Sequence, residues 1–300
     1  MHGKRLNLFC TLSAAATCAI TMSPSSDAAT LAHQWNFDEV SAGPPYTAAA
    51  DSVGGANFDE FIGSGYTQGG GVLTSVDADG ASLNNFLAGS SGTRALIGST
   101  IDGQGTTGAV TFELVFTQSV TADWAKLLVM GYGEWLGASQ SLIAITPKHL
   151  ATLGGNKLTV EIGALGTPEF TKVETDFVVQ DDTEYYLAAE FDDANDLLTM
   201  YIGEVGGTLH TFTGAMTYDL GNLNIHGAND GANAGHTSLG GAIFWDNTDW
   251  SGEYDQFNIY TGDFSAAEAN ANFAALIPEP AAAFLLGFGS LMIAGRRKRA

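Results

Sequence analysis

The sequence predicts an all-β protein, a sandwich or a barrel, on three observations. Short runs of alternating apolar and polar residues recur along the chain, and clusters of Gly, Asn and Asp separate them. Glycine is abundant, with 38 residues, whereas proline is scarce, with 7, so flexible turns are frequent and rigid ones are few. Only one segment of the main body, Ala266–Ala275, has both the composition and the start signal of a helix.

The predicted strands are short and closely spaced. The clearest is 110–116, in which aromatic and polar positions alternate with a period of two. Further strands are predicted at 126–130, 141–146, 158–162, 185–191, 197–202, 223–226 and 254–260. Because Asp and Asn tolerate turn geometry, residues 192–196 predict a hairpin turn. The Gly- and Asn-rich stretch 227–241 predicts a long loop.

The single predicted helix begins with a capping box. Ser265 precedes Ala266, and Glu268 follows three residues after the serine. In this pattern the serine hydroxyl accepts a backbone N–H at the helix start, and the glutamate reaches back to the serine N–H.

The N-terminal end predicts export. Lys4 and Arg5 precede an uncharged apolar run, 6–22, and small residues follow around Ala28. This order of basic, apolar and small-residue regions is that of a secretory signal peptide, here 1–28.

The C-terminal end predicts membrane insertion and sorting. An uncharged run, 281–295, would be roughly 22 Å long as a helix, short for a bilayer core of about 30 Å. The basic residues that follow would stay in the cytoplasm and leave the body outside. With its preceding proline pair, this tail resembles the PEP-CTERM sorting signal, which membrane proteases called exosortases process in bacteria that make exopolysaccharide. The residues that carry this resemblance are Pro278, Glu279, Pro280, Arg296, Arg297, Lys298 and Arg299. It implies an exosortase partner, a transient transmembrane helix in the inner membrane, and a final location at the cell surface or outside the cell.

The body, 29–277, is predicted to be one strongly acidic domain. The chain has a formal net charge of −22, and most of its few basic residues lie in the two ends. Such a charge argues against nucleic acid or an anionic membrane as a partner, and it is compatible with cation sites built from carboxylates. Both cysteines, Cys10 and Cys18, lie in the signal peptide, which excludes thiol catalysis and disulfides in the body.

The body resembles the laminin-G-like, concanavalin A-like lectin and glucanase domain. The opening 33–39 with the turn at 51–55, the strand 111–116, the hairpin 185–203, and the closing strand and helix 253–268 occur in the order of that family. The resemblance implies an antiparallel jelly-roll sandwich between the signal helix and the apolar sorting helix.

Family members often hold one calcium ion near the joined first and last strands, so the resemblance implies a structural calcium site. Carboxylates and amide oxygens suit calcium. The candidate ligands are Asp51 and Asp255, with Asp38 and Asn57 as weaker candidates. The alternative is that Asp51 only makes a turn and Asp255 only ends a strand edge.

Aromatic residues beside Asp and Asn predict carbohydrate binding without catalysis. Sugar sites combine an apolar ring face with hydrogen-bonding carboxylates and amides. The candidates are Trp245, Trp250, Trp135, Tyr132, Asp246 and Asp249. Trp35 is expected in the core, and burial of Trp245 and Trp250 is equally compatible with the sequence. The ligand would be polysaccharide or extracellular matrix.

Two other functions remain open. One is a structural or adhesive envelope protein with no defined ligand. The other is a glycoside hydrolase, which needs paired carboxylates. Glu253 with Asp255 has the right spacing but lacks a third acid, and Glu190 with Asp192 runs into a turn.

Overall fold

The computed structural model describes most of the body. The described residues are 28–38, 49–58, 60–62, 66–69, 72–75, 86–88, 91–105, 107–120, 123–133, 141–151, 155–164, 171–223, 234–241 and 250–277. The predicted signal peptide up to Asp27 and the whole predicted sorting tail, 278–300, lie outside them. Within the described ranges, no helix is both long and apolar enough to cross a bilayer.

The described residues form fifteen strands and two α-helices. In chain order the strands are β1 (Thr30–Trp35), β2 (Glu60–Ile62), β3 (Tyr66–Gly69), β4 (Val72–Ser75), β5 (Phe86–Ala88), β6 (Ala109–Val120), β7 (Leu128–Gly133), β8 (Ser141–Ala151), β9 (Gly155–Ala164), β10 (Thr171–Glu174), β11 (Thr183–Asp192), β12 (Leu197–Glu204), β13 (His210–Ala215), β14 (Ala234–Leu239) and β15 (Ser251–Thr261). The helices are α1 (Ser91–Asp102) and α2 (Ala266–Ala275).

The strands pair into two antiparallel sheets, which confirms the all-β prediction. The eight-stranded sheet has the order β13-β12-β11-β6-β15-β4-β3, and β1 also pairs with β15. The seven-stranded sheet has the order β10-β9-β8-β7-β14-β5-β2. Neighbours are often distant in sequence, because the chain crosses repeatedly between the sheets, as it does in jelly-roll sandwiches.

The core lies between the two sheets. Alternate residues of β6 and β15, such as Phe112 and Phe257, point inward from the eight-stranded sheet, and Ile143 and Val160 do so from the other sheet. Trp35 is fully buried among them, stacks on Phe257 at 4.9 Å between ring centroids, and donates its indole N–H to the Ala56 carbonyl, as predicted for a core tryptophan.

Helix α2 packs on the outer face of the eight-stranded sheet. Both hydrogen bonds of the predicted capping box are present, one from the Glu268 N–H to the Ser265 hydroxyl and one from the Ser265 N–H to the Glu268 carboxylate. Ala269 and Phe273 face the sheet, and the Phe273 ring lies 5.7 Å from the Tyr186 ring. The predicted hairpin turn is also present, with Asp196 at a φ of 51° between β11 and β12.

One prediction of local structure was wrong, a second lies mostly outside the described residues, and one helix was not predicted. Leu223 follows a 3₁₀ turn instead of starting a strand, and 224–226 lie outside the described residues. The predicted loop 227–241 contains β14, because pairing with β7 and burial of Ser238 and Leu239 outweigh a Gly- and Asn-rich composition. Helix α1 has weak helix formers, but Ile97 and Ile101, four residues apart, are buried on one face and packing stabilises it.

Candidate functional site

Trp250, predicted to bind sugar, is instead a core residue. It is fully buried, lies 4.5 Å from the Tyr254 ring and 6.2 Å from the Phe116 ring, and leaves no ring face for a ligand. It immediately precedes β15, and its backbone N–H donates to the Gly240 carbonyl at 2.8 Å. The other predicted sugar contacts, Trp135, Trp245, Asp246 and Asp249, lie outside the described residues, and of Tyr132 the backbone in β7 is described.

Asp51 is bonded within its own turn. One carboxylate oxygen accepts the backbone N–H groups of Gln34, Val53 and Gly54, and the other accepts from His33 Nδ1 at 2.7 Å and from the Ala56 N–H. Burial by itself would raise the pKa of Asp51, but the hydrogen bonds from Gln34, His33, Gly54 and Val53 lower it below its usual value. The carboxylate therefore holds the Asp51 turn against β1.

The four predicted calcium ligands do not form one site. Asn57 belongs to the Asp51 turn, where its Oδ1 accepts the Asp51 N–H at 2.9 Å, and Asp38 is exposed after β1. Asp255 lies on β15, where burial and the nearby Glu184 and Glu253 raise its pKa to about 6. Among the described residues, no three His, Cys, Asp or Glu side chains are grouped so as to hold a metal ion. The structural calcium ion itself stays a prediction.

A polar pocket lies between the eight-stranded sheet and α2. Its volume is about 200 Å³.

 The pocket beside α2 is lined by Gln34, Glu113, Val115, Tyr186, Gln256, Asn258, Tyr260, Asn272, Ala275 and Leu276.

The alternation of the strands brings these polar side chains to one face. On β15, Phe257 and Ile259 point into the core, so Gln256, Asn258 and Tyr260 point outward. Asn258 lies opposite Glu113 of β6 on one side and opposite Gln34 of β1 on the other. Three neighbouring strands therefore supply one row of polar groups beside the helix.

Glu113 organises the floor of the pocket. It is only 3% exposed, and its carboxylate accepts four hydrogen bonds, all from uncharged side chains. The donors are the Tyr186 hydroxyl (2.8 Å), Asn272 Nδ2 (2.8 Å), Asn258 Nδ2 (2.7 Å) and the Tyr260 hydroxyl (2.9 Å). A buried carboxylate that is fully hydrogen-bonded fixes the orientation of its partners.

The phenols in this network stay protonated at physiological pH. Burial, and then the neighbouring Glu113 carboxylate, raise the pKa of Tyr186 and of Tyr260 well above the usual range. The wall above Glu113 carries the amides of Gln34 and Gln256, which are partly exposed. The pocket thus offers uncharged donors and acceptors in fixed positions, which suits a ligand rich in hydroxyl groups.

A second cleft, with a volume of about 270 Å³, lies where β11 and β15 end. Its lining includes Gln104, Asp192, Asn195 and Asp263. Asp192 accepts two hydrogen bonds from Asn195, at 3.1 Å from its N–H and 2.6 Å from its Nδ2.

Glu190, the predicted partner of Asp192, does not line the cleft. It is buried and accepts the Phe264 N–H at 2.7 Å. Its burial, together with Asp263 and Asp192, raises its pKa to about 7 despite that hydrogen bond.

The pocket beside α2 was not predicted, although the sequence carries a partial signal for it. On β15, the outward positions 256, 258 and 260 hold Gln, Asn and Tyr, whereas a solvated strand face more often carries charged residues. The donors to Glu113 come from positions between 73 and 159 residues away along the chain. No local pattern could therefore identify Glu113 as their common acceptor.

No protein-family model and no curated protein matches this chain. Among solved structures, the chain is similar to the CBM40 domain of the Ruminococcus gnavus IT-sialidase bound to α2,3-sialyllactose, with 12% identity and a TM-score of 0.42 over 56% of this chain and 83% of that chain. It is also similar to the basic winged bean lectin with Tn-antigen, with 9% identity and a TM-score of 0.40 over 76% of this chain and 96% of that chain. At these sequence identities and TM-scores, the similarity indicates neither a ligand nor a binding site for this chain.

Proposed function

We propose that this chain is an exported protein whose β-sandwich binds carbohydrate without catalysis, through the pocket beside α2. The observation that supports the proposal is the Glu113 network, which holds two phenols and two amides in fixed positions around a small open pocket. Sugar hydroxyls both donate and accept hydrogen bonds, so they match a wall of amides and phenols better than a wall of charges.

Binding of uncharged oligosaccharides tests the proposal. Isothermal titration of a panel that includes maltohexaose, cellohexaose and xylohexaose should find a ligand. Gln34→Ala and Gln256→Ala should then each weaken the affinity roughly three- to tenfold, because each removes a partly exposed amide that can bond a sugar hydroxyl.

A matched control separates this site from a general loss of structure. Ser99→Ala removes an exposed hydroxyl of α1 that bonds only to the Leu96 carbonyl among the contacts described, and it should leave the affinity unchanged. If both glutamine variants bind the oligosaccharide as tightly as the unmodified protein, this pocket is not the binding site. A protein that binds no member of the panel would favour a structural or adhesive role without a defined ligand.

Glycoside hydrolysis is the competing activity. Glycoside hydrolysis needs a pair of carboxyl groups, one with a raised pKa as general acid, and Glu190, whose pKa is raised, lies near Asp192. Glu190 is nevertheless buried behind the second cleft and bonded to the Phe264 backbone, so it cannot reach a glycosidic oxygen in that cleft. Release of reducing sugar that Glu190→Gln abolishes would overturn the non-catalytic proposal.

Export and sorting are proposed from the two ends of the sequence. The apolar run 281–295 is short for a permanent anchor, and the motif that begins at Pro278 resembles an exosortase substrate. Mass spectrometry of the mature protein from its native cells should find no peptide from 284–300. Recovery of that segment in the mature form would contradict cleavage.

A further inference from the structure

Most basic residues of the acidic body lie in one region. Between 29 and 277 the chain has five lysines and arginines, and four of them, Lys126, Lys148, Lys157 and Lys172, lie on β8 to β10 or just before β7. The outer face of the seven-stranded sheet carries Lys157, Lys172 and His149, because the residues next to them along β9, such as Leu158, point into the core.

Two lysines of this region share one carboxylate. Glu174 lies 2.6 Å from Lys172 Nζ and 3.7 Å from Lys157 Nζ. Lys172 Nζ also lies 3.2 Å from His149 Nδ1, and the other nearby carboxylate, Glu161, contacts His149 and Lys126. The side chains of Lys157 and Lys172 are 32% and 24% exposed, so an external anion can reach both.

Lys148 shows what an ordinary ion pair in this region looks like. Its Nζ lies 2.8 Å from the Asp123 carboxylate, which no other described lysine contacts. Among the described residues, Lys157 and Lys172 are therefore the two lysines that share a single carboxylate, which leaves one positive charge of the pair unbalanced.

A strained tryptophan adjoins these lysines. Trp124 has a φ of 68°, which is a genuine outlier for a bulky residue, and such conformations cluster at functional sites. Its ring is half-buried, lies 4.0 Å from the His149 ring between centroids, and has Lys126 Nζ 5.9 Å from its centroid. An indole held in this way offers apolar surface to a sugar ring beside two ammonium groups.

We propose that Trp124, His149, Lys157, Lys172 and Glu174, here called the lysine patch, bind a carboxylated sugar residue of an acidic polysaccharide. The ligand carboxylate pairs with Lys157 and Lys172, which share the Glu174 carboxylate among the described residues, and the sugar ring contacts Trp124. The rest of the acidic body repels a polyanion, so the patch also sets where such a chain can approach. The inference rests on the proposed function only in taking the ligand to be a glycan.

Polygalacturonate and its fully methyl-esterified form are the probes, because they share a backbone and differ in charge. Affinity electrophoresis and isothermal titration of the protein should show binding to the acid form that is roughly tenfold or more tighter than to the ester, and added salt should weaken it. Equal affinity for the two forms, or no binding of the acid form, would overturn the proposal.

Substitutions then locate the site. Lys172→Ala and Trp124→Ala should each weaken polygalacturonate binding roughly tenfold, whereas Lys148→Ala, with the same loss of charge, should leave it within about twofold. Near-ultraviolet circular dichroism checks that each variant is folded, and Trp124→Phe, which keeps a ring, provides a second variant if Trp124→Ala does not fold. Equal losses in Lys148→Ala and Lys172→Ala would mean that net charge alone drives binding and would refute the patch.

The two sites fail in distinguishable ways. If the lysine patch is wrong but the pocket is right, Gln256→Ala weakens binding of uncharged sugars and Lys172→Ala leaves all binding unchanged. If the pocket is wrong but the patch is right, the acid form binds and depends on Lys172, and Gln256→Ala has no effect on any ligand.

Discussion

At the scale of single residues, two buried carboxylates hold distant segments together through hydrogen bonds. Glu113 accepts four hydrogen bonds from uncharged side chains. Asp51 accepts four hydrogen bonds from backbone N–H groups and one from the His33 ring. A buried polar group left without its partner costs about 1–3 kcal/mol, so removing a shared acceptor costs several such penalties at once.

Replacing Asp51 should strongly destabilise the fold. Asp51→Ala leaves His33 Nδ1 and four backbone N–H groups without their acceptor, and we expect the free energy of unfolding to fall by about 3 kcal/mol or more. Urea titration measures the loss, and the exposed Asp38→Ala should change stability by no more than about 0.5 kcal/mol. Similar stabilities for the two variants would contradict the role given to Asp51.

The structural roles of single residues can be predicted from the sequence only in part. The turn at Asp51 and the core position of Trp35 follow from local pattern. Trp250 could not be assigned, because its burial depends on where β15 begins and on its contacts with Phe116, which is more than a hundred residues away. Glu113 was recognised only as part of a strand, since its partners come together only in the folded chain.

At the scale of elements, α2 links the end of the chain's body to the pocket. Its capping box starts the helix, Phe273 and Ala269 anchor it on the sheet, and Asn272 turns toward Glu113. The helix and its cap were predicted because capping is a local effect with a short signature. Strand β14 and helix α1 were not, because cross-strand pairing and burial stabilise them despite weak local preference.

Removing the cap should weaken α2 measurably. Ser265→Ala deletes the hydroxyl that accepts the Glu268 N–H, and we expect a loss of about 1 kcal/mol in the free energy of unfolding. Amide exchange should also rise in the first turn of α2. The control, Ser99→Ala, lies inside α1 and should change stability by only a few tenths of a kcal/mol. Equal effects of the two substitutions would argue against the cap as a stabilising feature.

At the scale of the whole molecule, several buried acids make stability depend on pH. Burial, with neighbouring carboxylates, raises the pKa of Glu190 to about 7 and those of Asp193 and Asp255 to about 6. A folded state with raised carboxyl pKa values holds protons more tightly than the unfolded chain, so this stability is complete below about pH 4 and is lost as the pH rises through 6 and 7. The lowered pKa values of Asp51 and Glu161 have the opposite effect, because they add stability as the pH rises. That effect falls in a lower pH range.

Stability should therefore fall between pH 5 and pH 8. Glu190 alone should contribute a loss of about 2 kcal/mol in the free energy of unfolding across that range. Urea titrations at the two pH values measure it, and Glu190→Gln, which keeps an acceptor for the Phe264 N–H, should reduce the loss. Glu204→Gln, at an exposed end of β12, should leave it unchanged. A loss of the same size in the Glu190 variant would show that another group is responsible.

Hydrogen–deuterium exchange with bound glycan tests the central claim most directly, because it locates binding on the chain. With an uncharged oligosaccharide bound, the account predicts slower exchange in peptides covering β15 and α2, from Ser251 to Ala275, and unchanged exchange in β8 to β10. Protection of β8 to β10 alone, or of neither region by a ligand that titration shows to bind, would contradict the assignment of carbohydrate binding to the pocket beside α2.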